Sequence, residues 1–309
     1  MKRFVIYIFL FLLPIVLFFC VLEWGLRSIP NSYTYKVRWL NEHVSQIKIL
    51  SLGSSHGYYD INPKYFDELT FNAAFLSQSL RYDDFLLDKW IEKADSLEYV
   101  ILPVSYFSLC SHLEDRDEWW RVKNYCIYCG CSYHPNEARF QTEIVGTNIG
   151  TQINKLYQYW RCGKDAIDCD SLGWGCSFMY ADRDGDLEDD IGRAKYHTMN
   201  IRETESIVNE NIAYIEHMIH LCDSYNVRLL LITTPVYHSY YDNVNSTQYN
   251  MMTAYCDSIQ DAYAHVRYMN YFMDSRFVDE DFFDSDHLDE RGAEKFSKIL
   301  SNELKNDWN

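Results

Sequence analysis

Apolar residues in this chain fall into two kinds of run, continuous blocks of five or six and longer stretches spaced by three or four. The first continuous run is longer than the rest: Phe4 to Leu22 carries no charge over nineteen residues. At a rise of ~1.5 Å per residue, a helix of that length nearly matches a hydrocarbon core of ~30 Å. Beyond it the blocks Ile47–Leu52, Leu69–Ala74, Tyr99–Val104, Val227–Ile232 and Val266–Tyr271 predict buried strands. Between them, Phe85, Leu86, Trp90 and Ile91 have helical spacing, as do Ile207, Ile212, Ile215, Ile219 and Leu221. Further helices are predicted over Ser246–Ala264 and Arg291–Leu304, and a short one near Asn62-Pro63.

Alternating continuous strands and amphipathic helices define an α/β class. The expected architecture is a three-layer sandwich with a central, mostly parallel sheet. The rhythm breaks between Ser108 and Thr198, where Trp119, Trp120, Trp160 and Trp174 and an acidic run from Asp182 to Asp190 show little periodicity. So aromatic a stretch predicts a folded insertion, not a solvated linker. The expected organisation is therefore a membrane anchor (1–26), a tether (27–46), the first part of an α/β domain (47–107), an insertion (108–198) and the second part of the domain (199–309).

Lys2 and Arg3 before the apolar run favour a cytoplasmic N-terminus and an extracytoplasmic domain. No small-residue cleavage pattern follows, so a retained anchor is expected over a removed signal peptide. Cys20 reads as a membrane-embedded apolar residue, because Phe18 and Phe19 are poor neighbours for a lipidation site. A net charge of −17 argues against a nucleic acid or an anionic membrane surface as a partner, because no basic stripe offsets the repulsion. With 26 Tyr, 17 Phe and 8 Trp, a neutral carbohydrate is easier to accommodate.

Seven of the ten cysteines fall between Cys110 and Cys176, which in an oxidising compartment reads as a disulfide-stapled excursion. Cys126, Cys129 and Cys131 offer a zinc alternative without a second spaced pair. No cofactor and no resident metal are expected. The acidic run resembles a calcium loop only in part, since Leu187 stands where glycine is needed and Arg193 ends the pattern. It reads as a solvated loop. Asn245-Ser246-Thr247 forms a glycosylation sequon.

The chemistry lies at two distant points. The first strand runs into Gly53-Ser54-Ser55-His56, and Asp284-Ser285-Asp286-His287 precedes the last helix. A serine on the turn after a buried strand exposes its hydroxyl at the carboxyl edge of the sheet, where an Asp-oriented imidazole can remove its proton. Ser55 is the candidate nucleophile, His287 the base and Asp284 its orienting acid. Asp286 is expected at the surface or in a cap, and His56 is not expected to point back at its neighbour.

These residues, with Leu288 and the helix start Arg291-Gly292-Ala293, resemble the SGNH/GDSL hydrolase superfamily. The resemblance implies that Ser55, Asp284 and His287 form a catalytic triad, with Ser54 where that family usually has Asp. It also implies an oxyanion hole from the nucleophile's amide, a glycine of a second block and an asparagine of a third. Here Ser77 stands at the glycine place and the third strand ends Pro103-Val104-Ser105 without the asparagine. Ser77, Gln78 and Ser105 are the candidate substitutes. Those departures resemble the membrane-anchored branch that serves teichoic acid D-alanylation and polysaccharide O-acetylation. That branch implies an esterase or O-acyltransferase acting on cell-envelope carbohydrate beside a multi-spanning membrane acyltransferase, or a non-catalytic assembly protein that keeps the fold.

Overall fold

The computed structural model describes residues 2–145, 148–183, 185–189 and 192–306. It divides into two compact units. One comprises residues 1–38 and 117–167, the other 39–116 and 168–309.

The larger unit is built on five parallel strands: β1 (Ile49–Ser51), β2 (Thr70–Asn72), β3 (Tyr99–Pro103), β4 (Arg228–Thr233) and β5 (Val266–Asn270). Their spatial order is β2-β1-β3-β4-β5, with helices on both faces. The strands β1, β2, β3 and β4 are buried almost throughout, and β3 and β4 are accordingly near-continuous apolar blocks, whereas the edge strand β5 alternates buried Val266 and Tyr268 with half-buried Arg267 and Met269. Helices Leu80–Ile91 and Glu205–Ser224 pack together, as do Ser55–Asp60 and Glu290–Asn306. The main core joins Ile101, Leu230 and Ile232 of the sheet to Phe282, Leu288, Phe296 and Leu300.

Strand order fixes where the site can form. The chain leaves β1 toward β2 on one side and later enters β3 on the other, so the connections diverge at the carboxyl ends of β1 and β3. That divergence opens a crevice beside the sheet. The β1 turn (Gly53–Ser55) and the β3 turn (Val104–Ser105) both lead into it.

The smaller unit contains the helix Lys2–Arg27, long and apolar enough to cross a membrane. Its residues 4–21 are exposed, whereas Leu22 and Leu26 pack with Ile29, Ile144, Leu156 and Tyr159. Glu23 accepts hydrogen bonds from the backbone N–H groups of Glu143 and Ile144.

Several expectations need correcting. The stretch 27–46 is not an open tether: Ser32–His43 is a helix, because Tyr33 and Leu40 have buried surfaces to satisfy. The excursion at 108–198 is divided between the units, and it contains a 14-residue helix, Ile149–Cys162. Its seven cysteines do not all pair within it, since Cys110 and Cys162 carry free thiols. The acidic run is pinned, not simply solvated: Leu187 is buried and Glu188 accepts from the Tyr237 hydroxyl at 2.8 Å, while Asp184 and Asp190 lie outside the described residues. The sequon Asn245 caps the helix Ser246–Ala262, accepting from the N–H groups of Thr247 and Gln248.

Candidate active site

Gly53 sets the turn after β1. Its φ of 112° lies where residues with a side chain are strained, and an added Cβ would stand 2.9 Å from the Pro103 ring. Asp83 fixes the turn from the other side, accepting from the Gly53 N–H at 2.6 Å and from the Gln78 amide at 2.6 Å. Burial pushes the Asp83 carboxyl up to about 7. Ser54 stands in extended conformation just before the short helix Ser55–Asp60, placing Ser55 at its first position.

The last two site residues come from a turn that is organised by its own side chain. Asp284 Oδ1 accepts from the backbone N–H groups of Asp286 (3.2 Å) and His287 (2.9 Å) and from His287 Nδ1 (2.9 Å). The imidazole is thereby held with its other nitrogen, Nε2, 2.8 Å from Ser55 Oγ. Leu288 donates its N–H to Asp60 Oδ1 of the serine's own helix, which locks the two segments together. Ser55, His287 and Asp284 form one hydrogen-bonded chain across 232 positions of sequence.

Asp286 is not at the surface. It is fully buried, with Oδ1 3.3 Å from His287 Nδ1 and 3.1 Å from Arg193, and Oδ2 3.3 Å from His56 Nε2. Adjacent side chains diverge in a strand, but the Asp284 turn curls this segment so that Asp286 meets the far side of the site. His56 also belongs here: Ser105 Oγ lies 2.7 Å from its Nδ1, and its ring centroid is 5.0 Å from that of His287. A neutral His56 that accepts from Ser105 and donates to Asp286 satisfies all three groups.

The electrostatics follow from this crowding. Burial disfavours charge on His287, yet the Asp284 and Asp286 carboxylates outweigh it and hold the imidazole well above its usual pKa. Burial likewise opposes charge on Asp286, but His287, His56 and His197 hold it well below the carboxylate range. His56 is lowered by burial, and His197, hydrogen-bonded to Tyr240 at 2.7 Å, is pushed down to about 4 by the same cause. Arg193 bridges Asp284 (2.9 Å) and Asp286 (3.1 Å), drawing charge from both.

The three oxyanion candidates are placed differently. Ser77 adopts φ 58°, the left-handed conformation glycine takes most cheaply, at the position where the family resemblance puts a glycine. Its loop is tied to the nucleophile turn by the Phe75 N–H donating to the Gly53 carbonyl. Gln78 and Ser105 are buried and turned to Asp83 and His56, respectively.

Sequence reasoning missed Asp83, Arg193, His197 and Phe178. Asp83 had a signal, an acid inside an apolar helical repeat. The others sit in the aperiodic excursion, where pattern gives no register. Phe178 stacks between Tyr59 and Phe283 at 3.7 and 4.1 Å and presents its ring at 5.2 Å to His287. Its segment is fastened to the serine's helix by Gly175 N–H donating to the Tyr58 carbonyl and Trp174 Nε1 to that of Tyr59.

Ligand atoms of His56, Asp286 and His287 lie within 4.8 Å of one another and could converge on a cation. In the structure these groups are engaged with each other and with Ser105, Ser55 and Asp284, so hydrogen bonding accounts for every ring nitrogen.

A protein-family model matches residues 183–309, less than half of the chain. No curated protein matches. Solved structures similar to this chain include a Streptococcus pneumonia protein provisionally assigned as a platelet activating factor, at 12% identity and TM-score 0.39, covering 96% of this chain and 98% of that one. Another is a provisionally assigned acylhydrolase from Bacteroides fragilis NCTC 9343, at 11% identity and TM-score 0.39, covering 87% and 96%. Overlaps at these scores carry no argument about function.

Proposed function

We propose that this chain is a membrane-tethered, extracytoplasmic serine esterase or O-acyltransferase that works through an acyl-Ser55 intermediate. The observation that carries the reading is the continuous Ser55–His287–Asp284 hydrogen-bond chain, at 2.8 and 2.9 Å. In the first half-reaction Ser55 Oγ attacks the ester carbonyl while its proton passes to His287 Nε2. The tetrahedral adduct collapses, the alkoxide leaves, and His287 returns the proton to it. In the second half-reaction the neutral imidazole takes a proton from water or from a sugar hydroxyl, whose oxygen displaces Ser55. Asp284 holds the tautomer and stabilises the imidazolium in each step.

The Ser55 N–H opens its helix and therefore has no acceptor within it, which makes it available to the developing oxyanion. Envelope carbohydrate as the acyl acceptor or donor, and a multi-spanning acyltransferase as partner, rest on the family resemblance together with the apolar first helix. A second reading, a non-catalytic assembly protein, draws support from the Gln78 and Ser105 side chains, both of which are committed elsewhere.

Labelling the full chain in detergent with a serine-directed fluorophosphonate separates the two. The catalytic reading requires modification at Ser55 that is lost in Ser55→Ala and in His287→Ala. A folded wild-type protein that resists labelling across pH 6 to 10 would falsify it. Hydrolysis of a small acetyl ester, with and without a carbohydrate acceptor, then distinguishes esterase from transferase.

A further inference from the structure

The helix Ile149–Cys162 has an apolar face that no described residue of its unit covers. Ile149, Ile153, Tyr157 and Trp160 recur at helical spacing and are 44, 47, 58 and 65% exposed, respectively. At about 100° per residue they fall within one narrow stripe, beside Leu156 and opposite Thr151 and Gln158. A soluble surface rarely leaves two isoleucines, a tyrosine and a tryptophan aligned in this way.

The placement of this helix indicates what covers the stripe. Leu156, at its middle, meets Gly25 of the Lys2–Arg27 helix, where an added Cβ would stand 3.0 Å from Leu156 Cδ2. Contact is confined to the end of that helix: Leu22, Gly25 and Leu26 are buried, whereas residues 4–21 are exposed. A 14-residue helix is roughly 21 Å long and would cover some fourteen residues if it ran alongside. The two helices meet at a crossing just past the apolar segment, which sets Leu156 and the stripe beside it at the level where a span leaves the bilayer.

Charge agrees with this placement. The chain carries 45 acidic residues, but from Ile149 to Lys164 there is none, whereas Lys155, Arg161 and Lys164 are basic. Tyr157 and Trp160 are the amphipathic aromatics that settle at the headgroup level. We infer that Ile149–Cys162 is an in-plane interfacial helix, its Ile149-Ile153-Tyr157-Trp160 face immersed in the headgroup and acyl boundary of a bilayer, its basic residues and lack of acids setting this segment apart from the acidic remainder of the chain. This inference rests on Lys2–Arg27 spanning that bilayer.

The test uses the full chain in nanodiscs of phosphatidylcholine and phosphatidylglycerol whose acyl chains are brominated close to the headgroup. Tryptophan quenching relative to unbrominated discs is compared for wild type, W160F and W24F; Trp24, at the end of the first helix, reports insertion of the span. Phe preserves both apolar faces, so neither variant disturbs packing. The expected result is that both variants lose part of the quenching seen in wild type. Loss in W24F alone overturns the interfacial helix and leaves the span intact. Loss in neither overturns both, and loss in W160F alone overturns the crossing geometry on which the inference stands.

Discussion

Replacing Asp286 by Asn removes a buried negative charge from beside the proposed base while preserving shape. The charge stands 3.3 Å from His287 Nδ1. At an effective dielectric constant of ~20, two unit charges at that distance interact by about 5 kcal/mol. Arg193 at 3.1 Å and the His56 ring at 3.3 Å already draw on the same carboxylate, so only a fraction acts on His287. A tenfold effect needs about 1.4 kcal/mol, less than a third of the Coulomb figure. The sign is fixed: the carboxylates raise the His287 pKa, Ser55 is activated only when His287 is neutral, and labelling must therefore rise with pH through that raised pKa. In Asp286→Asn the limb moves to lower pH, and labelling on its acid side exceeds wild type by roughly tenfold or more. The assay is the fluorophosphonate rate from pH 5 to 10, with the imidazole resonances followed by NMR as an independent reading and near-ultraviolet dichroism as a check on folding. A folded variant whose limb is unmoved, or moved upward, would refute the account of the site's electrostatics.

Arg193→Ala tests the same balance from the other side. Without the guanidinium, Asp284 and Asp286 act on His287 undiminished, so the limb moves to higher pH; Arg193→Lys should largely restore it, and a downward shift in Arg193→Ala would contradict the ion-pair assignment. Gly57→Ala places a Cβ 2.3 Å from the Leu52 carbonyl oxygen and 3.0 Å from Ala74 Cβ, at a cost of roughly 1–3 kcal/mol in denaturant unfolding. Asp83→Asn keeps an acceptor for Gly53 and Gln78 but removes a carboxyl raised to about 7. Because the folded state holds that proton more tightly than the unfolded chain, the contribution of Asp83 to stability is fully present below pH ~4 and is lost as pH rises toward about 7. Between pH 5 and 8 wild type should lose roughly 2–3 kcal/mol more than Asp83→Asn, and equal slopes in urea unfolding would show that Asp83 is ionised without penalty.

Much of the fold was legible because the strands of a parallel sheet are buried on both faces and write themselves as continuous apolar blocks. Each of the five blocks is a strand, its ends shifted by one or two residues to where the inter-strand hydrogen bonds begin and stop. The helices Glu205–Ser224 and Glu290–Asn306 followed from amphipathic spacing in the same way. What the sequence withheld has physical causes. The helix Ile149–Cys162 does have an amphipathic stripe, Leu156 with Ile149, Ile153, Tyr157 and Trp160, but it stands in an excursion without other long regular elements, so no neighbouring rhythm marks it out. Asp286 was misplaced because side-chain divergence is a rule for extended backbone, and the Asp284 carboxylate bends this backbone into a turn.

The site divides along the same line. Ser55, His287 and Asp284, the proposed nucleophile, base and acid, are positioned by short-range devices that a sequence shows directly: a glycine that tolerates φ 112°, and an acid three residues before a histidine. The groups that tune it, Phe178 over the His287 ring and Arg193 and His197 beside Asp286, come from the irregular stretch after residue 168. That stretch is held at the site by bonds that pattern reading cannot see, among them Asn72 N–H to the Leu172 carbonyl, Gly175 N–H to the Tyr58 carbonyl and Trp174 Nε1 to the Tyr59 carbonyl. Substitutions in 168–198 should therefore alter the pH profile and acyl preference of the site while leaving the 2.8 Å Ser55–His287 bond in place. Substitutions in 53–57 or 284–287 act on that bond itself.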